Sequence, residues 1–566
     1  MPYVLDPTTM RALSVAGISV TAAIALCLLF LFTRRGRIAY LRVEQALSQF
    51  AERRFLASSV LFLSVVGARL IALPLLPVPT PTTHDEFGYL LLADTFAHGR
   101  LANPSHPLWV SFETYHVNWH PTYSSMYPPA QGFILALGQL LGNPWIGVLL
   151  SNAFMCVAIF WALQAWMPSR WAFLAAGFAA LKFGITSYWV NSYWGGATAA
   201  IGGALVLGGL GRLRRGARAR DAILLGLGAA ILANSRPYEG LFFCVPAALW
   251  FLYWLSGKIR SKDALRPRFR NALIPIVCVL LFTFAFMGYY NWRLTANALL
   301  FPHTLNERTY DTAPLFLWQP FKPELSYNNL VFQGFYNTWE RSYYQRDWQH
   351  AKKVSKEKVV HFGVTYFWPG ALLVLPALPF VLLDRRMKIF WATLAVSAAA
   401  LFAVVWSQSH YAAPLTCIFY GLLVQGVRHL RIMRISSLHF GVVLSRATFL
   451  LLLLDTGTNL CYQVCDPLQF ACKGNSSRAA IVEKLQHLDG KHLVIVRYAD
   501  FHDPHWEWVF NGADIDGGKI LWARDIGTAQ NAKLLAYFRD RHVWLLQPDF
   551  RHQVTPYPNS TLVAVQ

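Results

Sequence analysis

Charge is scarce in this chain. Asp, Glu, Lys and Arg make up 14% of 566 residues, against about 25% in a soluble globular protein. The shortage falls on one sign: 29 acidic residues face 50 basic ones, a net charge of +21. Cysteine is scarce too. Eight are too few for a disulfide scaffold, and five of them (Cys27, Cys156, Cys244, Cys278, Cys417) lie inside apolar runs as small core hydrophobes. These absences exclude a disordered protein, a collagen-like fibre and an ordinary cytosolic enzyme. What abounds is apolar sequence, 55% of the residues.

A bilayer core about 30 Å thick needs roughly 20 apolar residues per helix. About twelve runs meet that rule, near 12–33, 55–78, 145–167, 171–189, 196–211, 221–235, 240–256, 272–290, 362–383, 389–405, 411–427 and 439–459. Gly132–Leu141 is too short to span and reads as an interfacial helix or an extension of the next span. The first run ends in Arg34-Arg35-Gly36-Arg37, not in a small-residue cleavage site, so it reads as a span and not a signal peptide. The expected fold class is a polytopic α-helical membrane protein of about 12 transmembrane helices with a small extracytoplasmic α/β C-terminal domain. The division is 1–459 for the membrane domain, with outer loops 79–131 and 291–361, and 460–566 for the α/β domain.

The basic residues explain themselves by position. Arg34, Arg35, Arg37, Arg42, Arg53 and Arg54 follow the first run, and Arg212, Arg214, Arg215, Arg218 and Arg220 the fifth. Lys258, Arg260, Lys262, Arg266, Arg268 and Arg270 follow the seventh, Arg385, Arg386 and Lys388 the ninth, and Arg428, Arg431 and Arg434 the eleventh. Simple alternation puts all five clusters on one side, and the turns Thr186–Gly195 and Trp406–His410 opposite them contain no Lys or Arg. The basic side is cytoplasmic by the positive-inside rule, so the excess charge signals topology and nucleic acid is not an expected partner.

The first outer loop carries an acidic pair at the end of a span, in Thr83-His84-Asp85-Glu86-Phe87-Gly88-Tyr89. Such a pair is costly at a membrane surface unless it faces a cavity, a cation or a partner; it also suits a helix N-terminus. Apolar spacing predicts a helix over 86–97, stopped by Gly99. Glu113, His116 and His120 would share a helical face and, with His84, form a candidate metal group, although Pro107, Asn118 and Pro121 favour irregular structure. Arg236, between two runs, reads equally as a phosphate ligand or as a snorkelling residue. His410 offers a phosphate or substrate contact, or an interfacial His-Tyr pair with Tyr411. The middle loop is rich in aromatic and amide side chains, among them Tyr327, Asn328, Trp339, Tyr343 and Tyr344, which suits sugar stacking as well as an interfacial belt.

The tail reads as helix 479–488, strand 492–497, strand 519–522, helix 531–538, and strands 543–547 and 562–565. Cys461, Cys465 and Cys472 allow one disulfide without fixing a pairing. His502-Asp503-Pro504-His505 forms a candidate metal cluster or a solvated turn, and Asn475 and Asn559 head glycosylation patterns.

Asp85-Glu86 just after an early span, the helix end Ala93-Asp94-Thr95-Phe96-Ala97-His98-Gly99, and Tyr127-Pro128-Pro129 returning to the membrane resemble the glycosyltransferase-C superfamily. Within it the chain resembles protein O-mannosyltransferases and bacterial lipid A aminoarabinose transferases. Ser235-Arg236-Pro237 falls where that family often has a Lys-containing turn, and His410-Tyr411-Ala412-Ala413-Pro414 resembles its late Arg/His-Tyr-x-x-Pro motif. The family often carries a further acidic residue on the second outer loop; Tyr188–Gly195 has none.

The resemblance implies transfer of a sugar from a polyprenyl-phosphate donor to a lipid, glycan or protein acceptor at the outer face of a bacterial inner (plasma) membrane. It assigns Asp85 as general base and Glu86 as the group that orients the acceptor or holds a cation. Arg236, His410, Tyr411 and Tyr127 would bind substrate, membrane lipids would surround the spans, and a divalent cation would be held by His84, His116 and His120. The alternatives are a transporter or flippase of a lipid-linked glycan, which would place paired charges within the spans, and a glycan polymerase or ligase.

Overall fold

A computed structural model of the chain describes residues 22, 25–30, 33–256, 268–344, 348–434, 440–465 and 475–558. Every apolar run from residue 55 to 459 falls on a helix; of the run 12–33 only residues 22, 25–30 and 33 are described. Lys258, Arg260, Lys262, Arg266, Cys472, Asn559 and the strand expected at 562–565 lie outside the described residues. Among the described residues, six helices are long and apolar enough to cross a bilayer: Arg54–Ile71, Pro144–Leu163, Pro237–Ser256, Phe269–Thr295, Arg385–Ala403 and Phe440–Tyr462. The chain is an integral membrane protein on this evidence. The expected count of about twelve is not reached by that test. Ser169–Phe183 and Ala219–Ala233 have 15 residues each, and Ala197–Leu213 and Thr416–Ile432 have 17. The ninth run is not one straight helix: Gln349–Tyr366 and Pro369–Leu383 meet at 98°, because Pro369 and Pro376 cannot continue an α-helical ladder.

Two expected loops are structured. The basic stretch after the first run is a helix, Arg34–Glu52, whose Glu44 carboxylate takes Arg431 and Arg446 at 2.9 Å each. The middle segment is largely helical, with Pro302–Thr309, turns from Leu330 to Tyr343, and Trp348–Tyr366. A further ion pair, Lys182 to Asp455 at 3.2 Å, joins two helices of the membrane body.

The C-terminal unit is a four-stranded sheet in the order Ile520–Arg524, Lys491–Val496, Arg541–Gln547, Arg551–Pro556. The first three strands are parallel and the last is an antiparallel edge. The helices Ser476–Gln486 and Thr528–Tyr537 bury Ile481, Leu485 and Leu534 against it. The edge strand 551–556 escaped the sequence because it alternates weakly. Asn475 is buried and caps the helix, its Oδ1 accepting from Arg478 N at 2.8 Å. It is a poor glycosylation acceptor for that reason.

The segments that the charge pattern placed opposite the basic clusters meet in one body. Leu91, Phe112, Val117, Trp119 and Tyr123 of the first outer loop share a hydrophobic core with Leu493, Ile495, Leu521 and Leu534. Tyr123 donates to Asn511 O at 3.0 Å, and Asp94 accepts from Ala513 N at 2.6 Å. Asn118 donates to Pro302 O, and Thr122 to Leu294 O. Arg524, fully buried, donates to the Glu113 carbonyl and pairs with the equally buried Glu507. Removing one partner of such a pair leaves a buried charge and costs about 3–5 kcal/mol. Arg524→Met should therefore lower the melting temperature of the purified protein sharply; an unchanged melting temperature would show that the pair does not hold the C-terminal unit in place.

Candidate functional site

The helix His84–Ala97 builds the site. Thr83 and Glu86 form a capping box at its start, and His98 and Gly99 (φ +69°) end it. Glu86 is buried, and its carboxylate accepts from the backbone N–H groups of Thr82 (2.9 Å), Thr83 (3.3 Å) and Tyr193 (3.1 Å). Burial raises its pKa, with those three bonds opposing. The expectation that Glu86 orients an acceptor or holds a cation meets this geometry: its oxygens are occupied in fixing the helix start to the 186–195 turn.

Asp85, one residue earlier, points the other way. Its Oδ1 accepts the hydroxyl of Tyr127, and its Oδ2 lies 3.3 Å from His84 Nδ1. Tyr127 reaches it because Gly88 has no side chain; a Cβ there would sit 2.8 Å from the Tyr127 ring. Tyr89 stacks on Tyr127 at 4.3 Å. Burial pushes the Asp85 pKa up, but His84, His116, the Tyr127 hydroxyl and Arg236 together outweigh it and hold the group below its usual value. The residue that the resemblance assigns as general base is therefore an ionised carboxylate near pH 7.

His84 is 7% exposed, and both its ring nitrogens are buried without a hydrogen-bond partner. Burial pushes its pKa down to about 3, so it is neutral near pH 7. His116 stands beside it, ring centroids 4.6 Å apart, with its pKa also lowered by burial. One ligand atom from each of His84, Asp85 and His116 lies within 4.8 Å of the others. Two neutral imidazoles and a carboxylate suit a divalent transition-metal ion, and the orphaned nitrogens of His84 fit that demand. His120 does not join them. It is exposed, edge-on to Trp109 at 5.0 Å, and the chain there forms a 3-10 turn and short strands, not the helix that would align it. Glu113 is likewise taken up, by Tyr310 at 3.0 Å and by Asn328 and Asn329.

Arg236 supplies the positive side. It sits at the turn between Ala219–Ala233 and Pro237–Ser256, tied to the return helix by Ala130 N to Asn234 O at 2.9 Å. Its guanidinium lies over the Tyr411 ring at 4.2 Å. Burial opposes its charge, but Tyr89, Tyr411 and Glu239 outweigh this and raise its pKa. His410 is buried, with Nδ1 3.2 Å from the Tyr188 hydroxyl. Burial and then Arg236 push its pKa well below the usual value, so it is a neutral hydrogen-bonding group and not a second cation. Asp85, His84, His116, Tyr127, Arg236 and Tyr411 thus belong to one electrostatically connected site.

Sequence reasoning gave no role here to two neighbours and placed a third in a different cluster. Tyr89 and Glu239 face Arg236, and His505, from the C-terminal unit, stacks against His84 at 5.7 Å. The cluster suspected at 502–505 divides, since His502 pairs with Asp549 at 2.7 Å. Helical spacing would have flagged Tyr89 and Glu239; nothing local pairs His505 with His84.

No family model matches the chain, and no curated protein does. Solved structures do. Crystal structures of ArnT from Cupriavidus metallidurans, bound to undecaprenyl phosphate and in the apo state, are similar at 13% and 11% identity with TM-scores of 0.46 and 0.43, covering 87% of this chain and 93% of that one. The oligosaccharyltransferase of Archaeoglobus fulgidus, tethered to an acceptor peptide, is similar at 12% identity and a TM-score of 0.44 over 80% of this chain. The chain spans 63% of the archaeal enzyme's length.

The neutral burial of His84 has a pH signature. Its folded pKa of about 3 lies below the free value of about 6.5, so the unfolded chain takes up the proton first. Stability from this group is full above about pH 6.5 and is lost as pH falls toward 3. In chelator-treated protein, His84→Gln should flatten the decline in melting temperature between about pH 7 and 4; an unchanged slope would place the titration elsewhere.

Proposed function

We propose that this protein is a membrane glycosyltransferase that moves a sugar from a polyprenyl-phosphate donor to an acceptor hydroxyl or amine at the extracytoplasmic face of a bacterial plasma membrane. The observation that carries the reading is the pairing of Asp85, with two unprotonated imidazoles, against a half-buried Arg236 at one end of a helical body with membrane-spanning helices.

The chemistry demands two opposed features. The leaving group is a lipid phosphate, so positive charge must meet it; the Arg236 guanidinium matches a phosphate and is held in place by the Tyr411 ring. The acceptor must lose a proton as its oxygen or nitrogen bonds to the anomeric carbon. Asp85 is ionised and receives it. Its lowered pKa makes it a weak base, which suffices when the proton leaves late, after the attacking atom has acquired positive character from the new bond. The carbon–oxygen bond to the phosphate breaks with its electron pair going to the phosphate, and attack from the opposite side inverts the sugar carbon. Tyr127, hydrogen-bonded to Oδ1, fixes which oxygen faces the acceptor. A divalent cation held by His84, Asp85 and His116 would supply charge neutralisation for the donor phosphate. A donor with a long apolar chain requires the site to lie at a boundary between water and lipid.

Purified protein in proteoliposomes with a labelled polyprenyl-phosphate sugar tests the reading. Asp85→Asn should reduce transfer by at least about a hundredfold, the usual contribution of a positioned base, with insertion and melting temperature preserved. Arg236→Ala should raise the donor KM more than the acceptor KM. Retained turnover in Asp85→Asn, or equal shifts of both KM values in Arg236→Ala, would contradict the assigned roles.

A further inference from the structure

Beyond the ionised centre the site has an aromatic side wall assembled from three distant parts of the chain. Phe335, Trp339 and Tyr343 recur every four residues along the helical turns of the middle segment and stack in series, with ring centroids 5.0 and 5.8 Å apart. Those separations exceed the roughly 3.5 Å of van der Waals contact between carbon atoms, so the rings are offset stacks; Phe335 is buried, while Trp339 and Tyr343 keep part of their surface exposed. Phe335 begins the series at the metal-ligand candidate, 5.7 Å from His84. Trp406, from the turn before His410, closes on Tyr343 at 4.8 Å and on Trp339 at 6.0 Å. His505, from the C-terminal unit, closes on Trp339 at 4.7 Å and on His84 at 5.7 Å.

A lipid-facing belt would leave its rings exposed to the bilayer. Here Trp339, Tyr343, Trp406 and His505 are each half-buried and turned toward one another. Their polar groups are uncommitted: among the described residues nothing pairs with the indole N–H of Trp339 or of Trp406, or with the Tyr343 hydroxyl. The neighbouring Ser407 Oγ is buried without a partner. Ring faces beside free donors and acceptors match a pyranose, which has apolar C–H faces and a rim of hydroxyls.

We propose that Trp339, Tyr343, Trp406 and His505 form a pyranose-binding wall leading away from His84, so that the C-terminal unit contributes a residue to substrate binding. The inference rests on the glycosyl-transfer reading and deepens it, since the ring held is that of the donor or that of a glycan acceptor.

The test uses the full chain in detergent and saturation-transfer NMR with a pyranose disaccharide. Wild-type protein should transfer saturation to the ring protons. Trp339→Ala should weaken binding about three- to tenfold and Trp339→Phe should restore most of it, with melting temperature and Mn2+ affinity unchanged in both. In the transfer assay Trp339→Ala and Trp406→Ala should raise one KM: the donor's if the wall holds the transferred sugar, the acceptor's if it holds the receiving glycan. No saturation transfer to the wild type, or affinities and KM values that ignore both substitutions, overturns the wall. Disaccharide binding that depends on Trp339 in a protein that transfers no sugar would remove the enzymatic reading and leave the wall standing.

Discussion

A carboxylate kept ionised away from bulk water is the constraint on which the rest of the site depends. Burial alone would push the Asp85 pKa up. The Tyr127 hydroxyl and the Arg236 guanidinium work against that penalty, and each is brought in by a separate stretch of chain. Glu86 locks the helix start through three backbone N–H groups. Gly88 clears the path for Tyr127. The hydrogen bond from Ala130 to Asn234 brings the Arg236 turn alongside. The adjacent acids therefore have different work: Glu86 secures the backbone, and Asp85 is left facing the site.

The same economy of parts ties the C-terminal sheet to the membrane body. Its core is continuous with that of the first outer loop, and the buried Arg524–Glu507 pair sits two residues from His505. A rigid joint there sets the position of His505 against His84 and Trp339. The sheet is thus part of the site's frame.

The helical membrane body and the C-terminal sheet were legible because hydrophobic run length and apolar periodicity are properties of contiguous sequence. The helix ending at Gly99 and the three parallel strands were legible for the same reason. What was not legible was long-range. The bend at Pro369 hides within an apolar run, and the helix Arg34–Glu52 hides behind its arginines, since charge density says nothing of its Glu44 anchor. In the site, Asp85 stands out as an acid at a span's end, but its partner set is fixed by tertiary packing. His116 joins and His120 does not because the loop is irregular, with His116 at φ +61°. His505 lies 421 positions from His84 in the chain, so no spacing rule could pair them.

The central claim is that His84, Asp85 and His116 form one cation site facing Arg236. Electron spin-echo measurements on Mn2+ added to the purified protein test it most directly. The account predicts one tightly bound ion per chain, coupled to two imidazole nitrogens, with one coupling lost in His116→Gln and tight binding lost in Asp85→Asn. A bound ion without nitrogen coupling, or couplings unchanged by His116→Gln, would contradict it.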